Sequence, residues 1–141
     1  MTSPPPSGAL EVLERMRDAA IAQRAGDMSS VYAADAVHEF PFTRPGLPSR
    51  IEGRDAIMSV ITAFWSTSPL RYERYRTIAI HSTADPDTIV VEQEVAGISS
   101  TTGPFVLPNV MVFTARHGVI AHVRDYANLL AVKEAIAGPV S

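Results

Sequence analysis

The segment that decides the fold is 88–128, read as TIVVEQEVAGISS at 88–100, TTGP at 101–104, FVLPNVMVFTA at 105–115, RHG at 116–118 and VIAHVRDYAN at 119–128. Each long run is rich in β-branched and aromatic residues, and Gly and Pro sit in the short breaks between them. This pattern predicts consecutive antiparallel strands joined by tight turns. A fourth run of the same kind, LRYERYRTIAIHST at 70–83, precedes the turn Asp85-Pro86-Asp87. Side chains of a strand alternate between faces. In the last run one face carries Val119, Ala121, Val123, Asp125 and Ala127, and the other Ile120, His122, Arg124 and Tyr126. Asp125 is thus a lone carboxylate on an apolar face, where a charge is costly unless compensated. Such an acid is either a satisfied structural group or the working acid/base of a pocket.

Upstream, the spacing of Leu10, Leu13, Met16 and Ala20 predicts a helix from residue 9 to about Gly26, with Gly26 as its stop. Asp27 is read as the cap of a short second helix reaching Tyr32. Residues 37–42 alternate, placing His38, Phe40 and Phe42 on one face and Val37, Glu39 and Pro41 on the other. After a loop at 43–49, Ile57, Val60, Ile61, Phe64 and Trp65 mark the apolar stripe of a third helix over 54–65. A short helix at 129–136 closes the chain. The organisation is a Pro/Ser-rich tail at 1–8, expected to be flexible, a single domain over 9–137, and a short tail at 138–141. Helices followed by a run of antiparallel strands indicate an α+β fold. A strongly curved sheet wrapped around the N-terminal helices would leave a deep apolar cavity suited to a small molecule.

Composition removes several function classes. The formal net charge is −3, and Glu73 interrupts the one arginine cluster, Arg71, Arg74 and Arg76, which reads as a solvated or interface strand. Nucleic acid is not an expected partner. The chain has no cysteine, so disulfides, thiolate catalysis and Cys-ligated zinc are excluded. No apolar run approaches the length of a membrane span, and the first ten residues lack a signal pattern, so a cytoplasmic location is expected. The four histidines, His38, His81, His117 and His122, do not stand at metal-ligand spacing, and no phosphate loop or Gly-x-Ser-x-Gly elbow occurs. Neither a metal nor a cofactor is expected.

Ala34-Asp35-Ala36-Val37, Ile51-Glu52-Gly53-Arg54-Asp55-Ala56-Ile57 and Arg124-Asp125-Tyr126 resemble the SnoaL-like group of the nuclear transport factor two and ketosteroid isomerase superfamily. The resemblance spans nearly everything from Leu10 to Ile136. Within that group, Arg124-Asp125-Tyr126-Ala127-Asn128 is similar to the Arg-acid-aromatic-x-Asn motif of the phenazine-biosynthesis A/B proteins. The run Ser82-Thr83-Ala84-Asp85-Pro86-Asp87 with Val90-Val91-Glu92 is also like theirs. The resemblance implies a cone-shaped fold, a polyketide-like apolar substrate, and an acid/base role for Asp125. It also implies a homodimer formed through the outer sheet face. Three departures limit it. The residue before Pro41 is Phe40, where ketosteroid isomerases carry their base. Ala19 stands near the place of their oxyanion-hole tyrosine. Residues 54–66 lack the histidine that phenazine A/B proteins use.

The expected catalytic residues are Asp125 and His38, which shares a face with Phe40. Burial in an apolar pocket would raise an aspartate from about 3.9 toward a useful range. The alternative for His38 is a satisfied core histidine. Substrate-binding candidates are Tyr32, Phe40, Trp65, Gln93, Asn109 and Met111. Asn109 is read as a partner for a substrate carbonyl or for Asp125, and Tyr32 and Trp65 as lining the cavity mouth. Glu92 and Glu94 face away from Gln93 and are expected to meet Arg74 or Arg76. The combined reading is a cyclase or isomerase of secondary metabolism acting by proton transfer. The rivals are an epoxide-opening hydrolase or ether-forming cyclase, and a non-catalytic binding or assembly protein of the same fold.

Overall fold

Leu10, Leu13, Met16 and Ala20 fall in helix α1 (Ser7–Ala22) of the computed structural model, which describes residues 7–138. Ser7 and Gly8 are therefore helical, and the rest of the two expected tails, 1–6 and 139–141, lies outside the described residues. The helix ends where Gln23 takes a left-handed φ of 52° and Arg24 N–H donates to Ala19 O at 3.2 Å. Gly26, expected as the stop, instead lies within α2 (Ala25–Ser30). Asp27 sits in the first turn of α2 rather than capping it, and Tyr32 belongs to a strand. The cause is tertiary: Ile120 N–H donates to Val31 O at 2.7 Å, so the backbone after α2 is drawn into the sheet.

The sheet has six strands in the order β2 (Arg50–Glu52), β1 (Tyr32–Glu39), β6 (Val119–Ala127), β5 (Gly103–Arg116), β4 (Thr88–Ser99) and β3 (Leu70–Ser82). Pairings are antiparallel except β1 with β6, which run parallel with His38 opposite Val123. The first strand thus begins five residues earlier than its alternation suggested and ends at Glu39, so Phe40 and Phe42 lie beyond it. Phe42 is largely exposed and packs edge-on against Tyr126, with centroids 5.4 Å apart, away from His38. Strand β2, three residues long, has too few side chains to show alternation, and sequence spacing predicts no strand between the loop at 43–49 and the third helix. Helix α3 (Arg54–Thr67) and α4 (Leu129–Ala137) match their apolar stripes within two residues.

Register on β3 carries a consequence for the interior. Tyr72 stands opposite Gly97, Arg74 opposite Ala96 and Tyr75 opposite Val95, so Glu73 is an extra, bulged residue. Strict alternation would put Tyr72 and Tyr75 on opposite faces; the bulge turns both toward the concave side, where Val95 is buried. A second bulge follows at Ile78. Gly97 is required at its position, because a Cβ there would lie 2.0 Å from the Arg71 carbonyl oxygen.

Val12 and Leu13 of α1 and Ile57 of α3 close over Ile89, Val91, Phe113, Ile120 and Val123 of the sheet, all essentially solvent-free. Burying a side chain of this size stabilises by roughly 1.5–3 kcal/mol. The outer face is polar in part. Arg76 pairs with Glu94 at 2.8 Å as expected, but Glu92 meets His81 rather than Arg74. No helix among the described residues is long and apolar enough to cross a membrane.

Candidate active site

Asp125 projects from β6 onto the concave face, opposite Met111 of β5. Asn109, two residues back on β5 and on the same face, donates from Nδ2 to Asp125 Oδ1 at 3.0 Å. His38 Nε2 lies 3.3 Å from Asp125 Oδ2, joining residues 87 positions apart through the parallel β1–β6 pairing. The other ring nitrogen, Nδ1, lies 3.5 Å from the Tyr32 hydroxyl. Tyr32, His38, Asp125 and Asn109 therefore form one hydrogen-bonded row across three neighbouring strands.

Burial sets the proton positions in this row. Tyr32 is 1% exposed, and desolvation, aided by the nearby Asp125 charge, pushes its phenol well above the usual range. Tyr32 keeps its proton and can donate to Nδ1, the direction that holds when Nε2 carries the hydrogen facing the Asp125 carboxylate. A neutral His38 then carries its hydrogen on Nε2 and donates it to Asp125, an assignment that follows from donor and acceptor capacity. Phe40 stacks on the imidazole at a centroid distance of 4.8 Å. The Asp125 side chain remains 16% exposed against 8% for His38, so the carboxylate is the end of the row open to a ligand. Its recorded partners are side chains; the backbone satisfies neither oxygen among the described residues.

Phe40, Val60, Ile61, Trp65, Tyr72 and Tyr75 pack against the buried core and keep partial exposure. Of the substrate-binding candidates, Trp65 keeps partial exposure, whereas Met111 is buried at 3%. Tyr32, expected to line a cavity mouth, is fully buried. A separate open groove of about 470 Å³ at the end of β6 is lined by Phe42, Thr43, Arg44, Tyr126, Ala127, Asn128 and Leu129, and contains no carboxylate.

Gln93 has a partner that sequence reading did not identify. Its Oε1 accepts from Arg17 Nε at 3.1 Å and Nη2 at 2.7 Å, and the guanidinium stands 5.4 Å above the Tyr75 ring. Arg17 is 7% exposed; its ion-pair partner Glu14, at 3.1 Å, has a side chain 65% exposed. A signal was present, because Arg17 follows Leu13 by four residues and precedes Ala20 by three, on the apolar stripe of α1. Tyr72 and Tyr75 were also missed, since alternation alone cannot show a bulge.

Comparison with known proteins adds a family and a set of folds. A family model described as a SnoaL-like domain matches residues 13–123, ending two residues before Asp125. The YesE protein of Bacillus subtilis is 34% identical over 116 residues, 79% of this chain and 78% of the relative. The PhzA/B-like protein PA3332 of Pseudomonas aeruginosa is 29% identical over 109 residues, 77% of this chain and 75% of that one. A crystal structure from Bacillus subtilis, provisionally described as an isomerase, superimposes with a TM-score of 0.85 at 28% identity, covering 97% of this chain and 98% of its own. At the level of fold alone, three further structures are similar. A protein of Xanthomonas campestris provisionally called a polyketide cyclase has a TM-score of 0.70 at 21% identity (96% and 98% covered). An epoxide hydrolase of Mycobacterium tuberculosis has 0.70 at 18% (96% and 89%). A ketosteroid isomerase from Mycobacterium has 0.67 at 18% (88% and 95%).

Proposed function

The chain belongs to the SnoaL-like domain family, and from that premise we propose that it is an acid/base enzyme acting on an apolar, oxygenated, polyketide-like small molecule held in the concave recess. The reaction class is cyclisation or isomerisation by proton transfer from carbon. The observation that supports this reading is the Tyr32–His38–Asp125–Asn109 row, which holds one accessible carboxylate against an apolar wall. Asp125 takes the proton from a carbon next to a carbonyl; the C–H electron pair becomes the C=C bond of the enolate and the carbonyl π pair moves to oxygen. Returning that proton to a different carbon gives isomerisation. Attack of the enolate carbon on a second carbonyl carbon of the same molecule forms the ring C–C bond as that carbonyl's π pair moves to its oxygen, and the resulting oxyanion takes the proton from Asp125.

Asn109 fixes one carboxylate oxygen and His38 the other, so the base is presented in one orientation. Such positioning contributes alongside the proton transfer itself. An epoxide hydrolase is disfavoured by the same geometry, because its water attack draws on paired acids and the row contains one. A homodimer through the outer sheet face, where Ile98 and Val106 are exposed, is part of the proposal.

The test uses 2-tetralone, an apolar ketone with an acidic C–H, in deuterated buffer. NMR follows deuterium entry next to the carbonyl. The wild-type protein should accelerate exchange, and Asp125→Asn should slow it by about 100-fold or more while leaving the melting temperature within a few degrees. Equal exchange by the two proteins would refute the assignment. A large loss of melting temperature with no catalysis in the wild type would favour the non-catalytic rival.

A further inference from the structure

On the wall across the concave face from Asp125, two phenols stand without partners. Tyr72 and Tyr75 come from β3 and share the interior side only because Glu73 bulges out of register. Their rings meet edge-on, with centroids 6.0 Å apart at 90°, and Phe105 supports Tyr72 at 6.1 Å. Among the described residues neither hydroxyl makes a hydrogen bond, although both rings pack against the core. Among the described residues no fully buried side-chain nitrogen or oxygen lacks a partner, so these two unpaired hydroxyls keep access to solvent.

The charges around them fit a donor role. Burial and the Asp125 carboxylate push Tyr72 up to about 12, and Tyr75 still higher. Both stay protonated at neutral pH, each with one O–H to give. Arg17 lies over the Tyr75 ring and is held there by Gln93, which pairs in register with Asn109. One side of the recess therefore offers a carboxylate that accepts, and the other offers neutral hydroxyls that donate beside a buried cation.

We propose that Tyr72 and Tyr75 form the ligand-oxygen site of this protein: their hydroxyls donate to a carbonyl oxygen of the substrate while Asp125 faces its acidic carbon. The inference rests on the acid/base reading above and deepens it. It restricts the substrate to molecules whose oxygen is an acceptor at the β3 wall, with an apolar carbon frame spanning to β6. As electron density moves onto that oxygen during proton removal, the two O–H groups and the Arg17 charge stabilise it.

The experiment compares 2-tetralone with tetralin, which has the same frame and no oxygen, on wild type, Tyr75→Phe, Tyr72→Phe and the double variant. Affinity is measured by titration calorimetry and the bound ketone by its infrared carbonyl band. The double variant should bind 2-tetralone about tenfold more weakly or worse, consistent with loss of hydrogen bonds to a polar ligand group, and tetralin unchanged. The carbonyl band, lowered in wild type by hydrogen bonding, should rise again in the variants. Equal losses for both probes, or no loss for the ketone, would overturn the site. If Asp125→Asn abolishes deuterium exchange while the double variant binds ketone like wild type, the acid/base reading stands and this inference falls. If neither probe binds, the apolar recess reading fails and takes the inference with it.

Discussion

Substituting Gln93 by leucine should expose how much the Arg17 contact contributes. The Arg17 side chain is 9% exposed, and Gln93 Oε1 receives two of its donors, at 3.1 and 2.7 Å. A hydrogen bond to a charged group contributes about 1.5–3 kcal/mol. Leucine removes two of them and leaves the cation with Glu14, a partner whose side chain is 65% exposed. Partial relaxation toward Glu14 and about 1 kcal/mol of added apolar burial offset part of the loss. The expected destabilisation is about 3 kcal/mol, in the range for breaking a buried charged contact. Arg17→Met removes the charge itself and should cost less, about 1.5 kcal/mol, mainly the orphaned amide oxygen and the lost contact with Tyr75. With both changes made, neither a buried charge nor its acceptor remains, and the cost should be about 1 kcal/mol. Urea unfolding of the four proteins at pH 7 gives the coupling, expected at about 2–4 kcal/mol with unchanged m-values. A domain of this size has stability of order 10 kcal/mol, so every variant remains folded. Additive effects, or a Gln93→Leu cost below about 1 kcal/mol, would show that the pair is not a buried charge contact.

Three further outcomes follow from the geometry. Gly97→Ala forces a methyl to within 2.0 Å of the Arg71 carbonyl oxygen, a backbone clash, and should cost about 3 kcal/mol in urea unfolding; a change within 0.5 kcal/mol would mean the β3–β4 approach is looser than described. His122, Arg50 and Arg124 hold the Glu39 carboxyl below the ordinary range, its hydrogen bond to His122 being the main cause. A depressed carboxylate adds stability above its unfolded pKa of about 4.3 and loses it as pH falls through the depressed value. Glu39→Gln should therefore cost about 0.5 kcal/mol at pH 7 and progressively less as pH falls through the depressed value, and a cost independent of pH would contradict the assignment. Tyr32, Tyr72 and Tyr75 are raised by burial, so their stabilising contribution is intact below about pH 10 and declines as pH climbs toward their folded values. At pH 11 the 295 nm absorbance of the folded protein should fall three phenolates short of the urea-unfolded chain; matching absorbance would place those rings in solvent.

Much of this architecture was legible beforehand because strand alternation and helical stripes are local. The faces of β4 and β5, and of β6 from Val123 on, could be read directly, so Asp125, Asn109 and Gln93 were assigned to one side of the sheet from spacing alone. Ile120, read on the face opposite Val123, is instead core beside it, because the register shifts at Ala121. The errors cluster where the chain is governed by distant partners. Tyr32 looked helical because only its pairing with β6 makes it a strand residue. Phe42 looked interior because nothing local shows that β1 ends at Glu39. Arg17 was passed over, although its place on an apolar stripe was visible, because its acceptor lies 76 residues away.

What the sequence alone determined is the order of the longer helices and strands and, between bulges, the side each residue presents, since both follow from the geometry of a single strand or helix. It determined that one carboxylate on the last strand would face the interior. Tertiary structure alone decided what that carboxylate meets. The parallel joining of β1 to β6 brings His38 to Asp125, and the Glu73 bulge turns Tyr72 and Tyr75 onto the same concave wall. Register and bulges are set by pairing between strands far apart in the chain, where a one-residue slip moves every side chain to the opposite face.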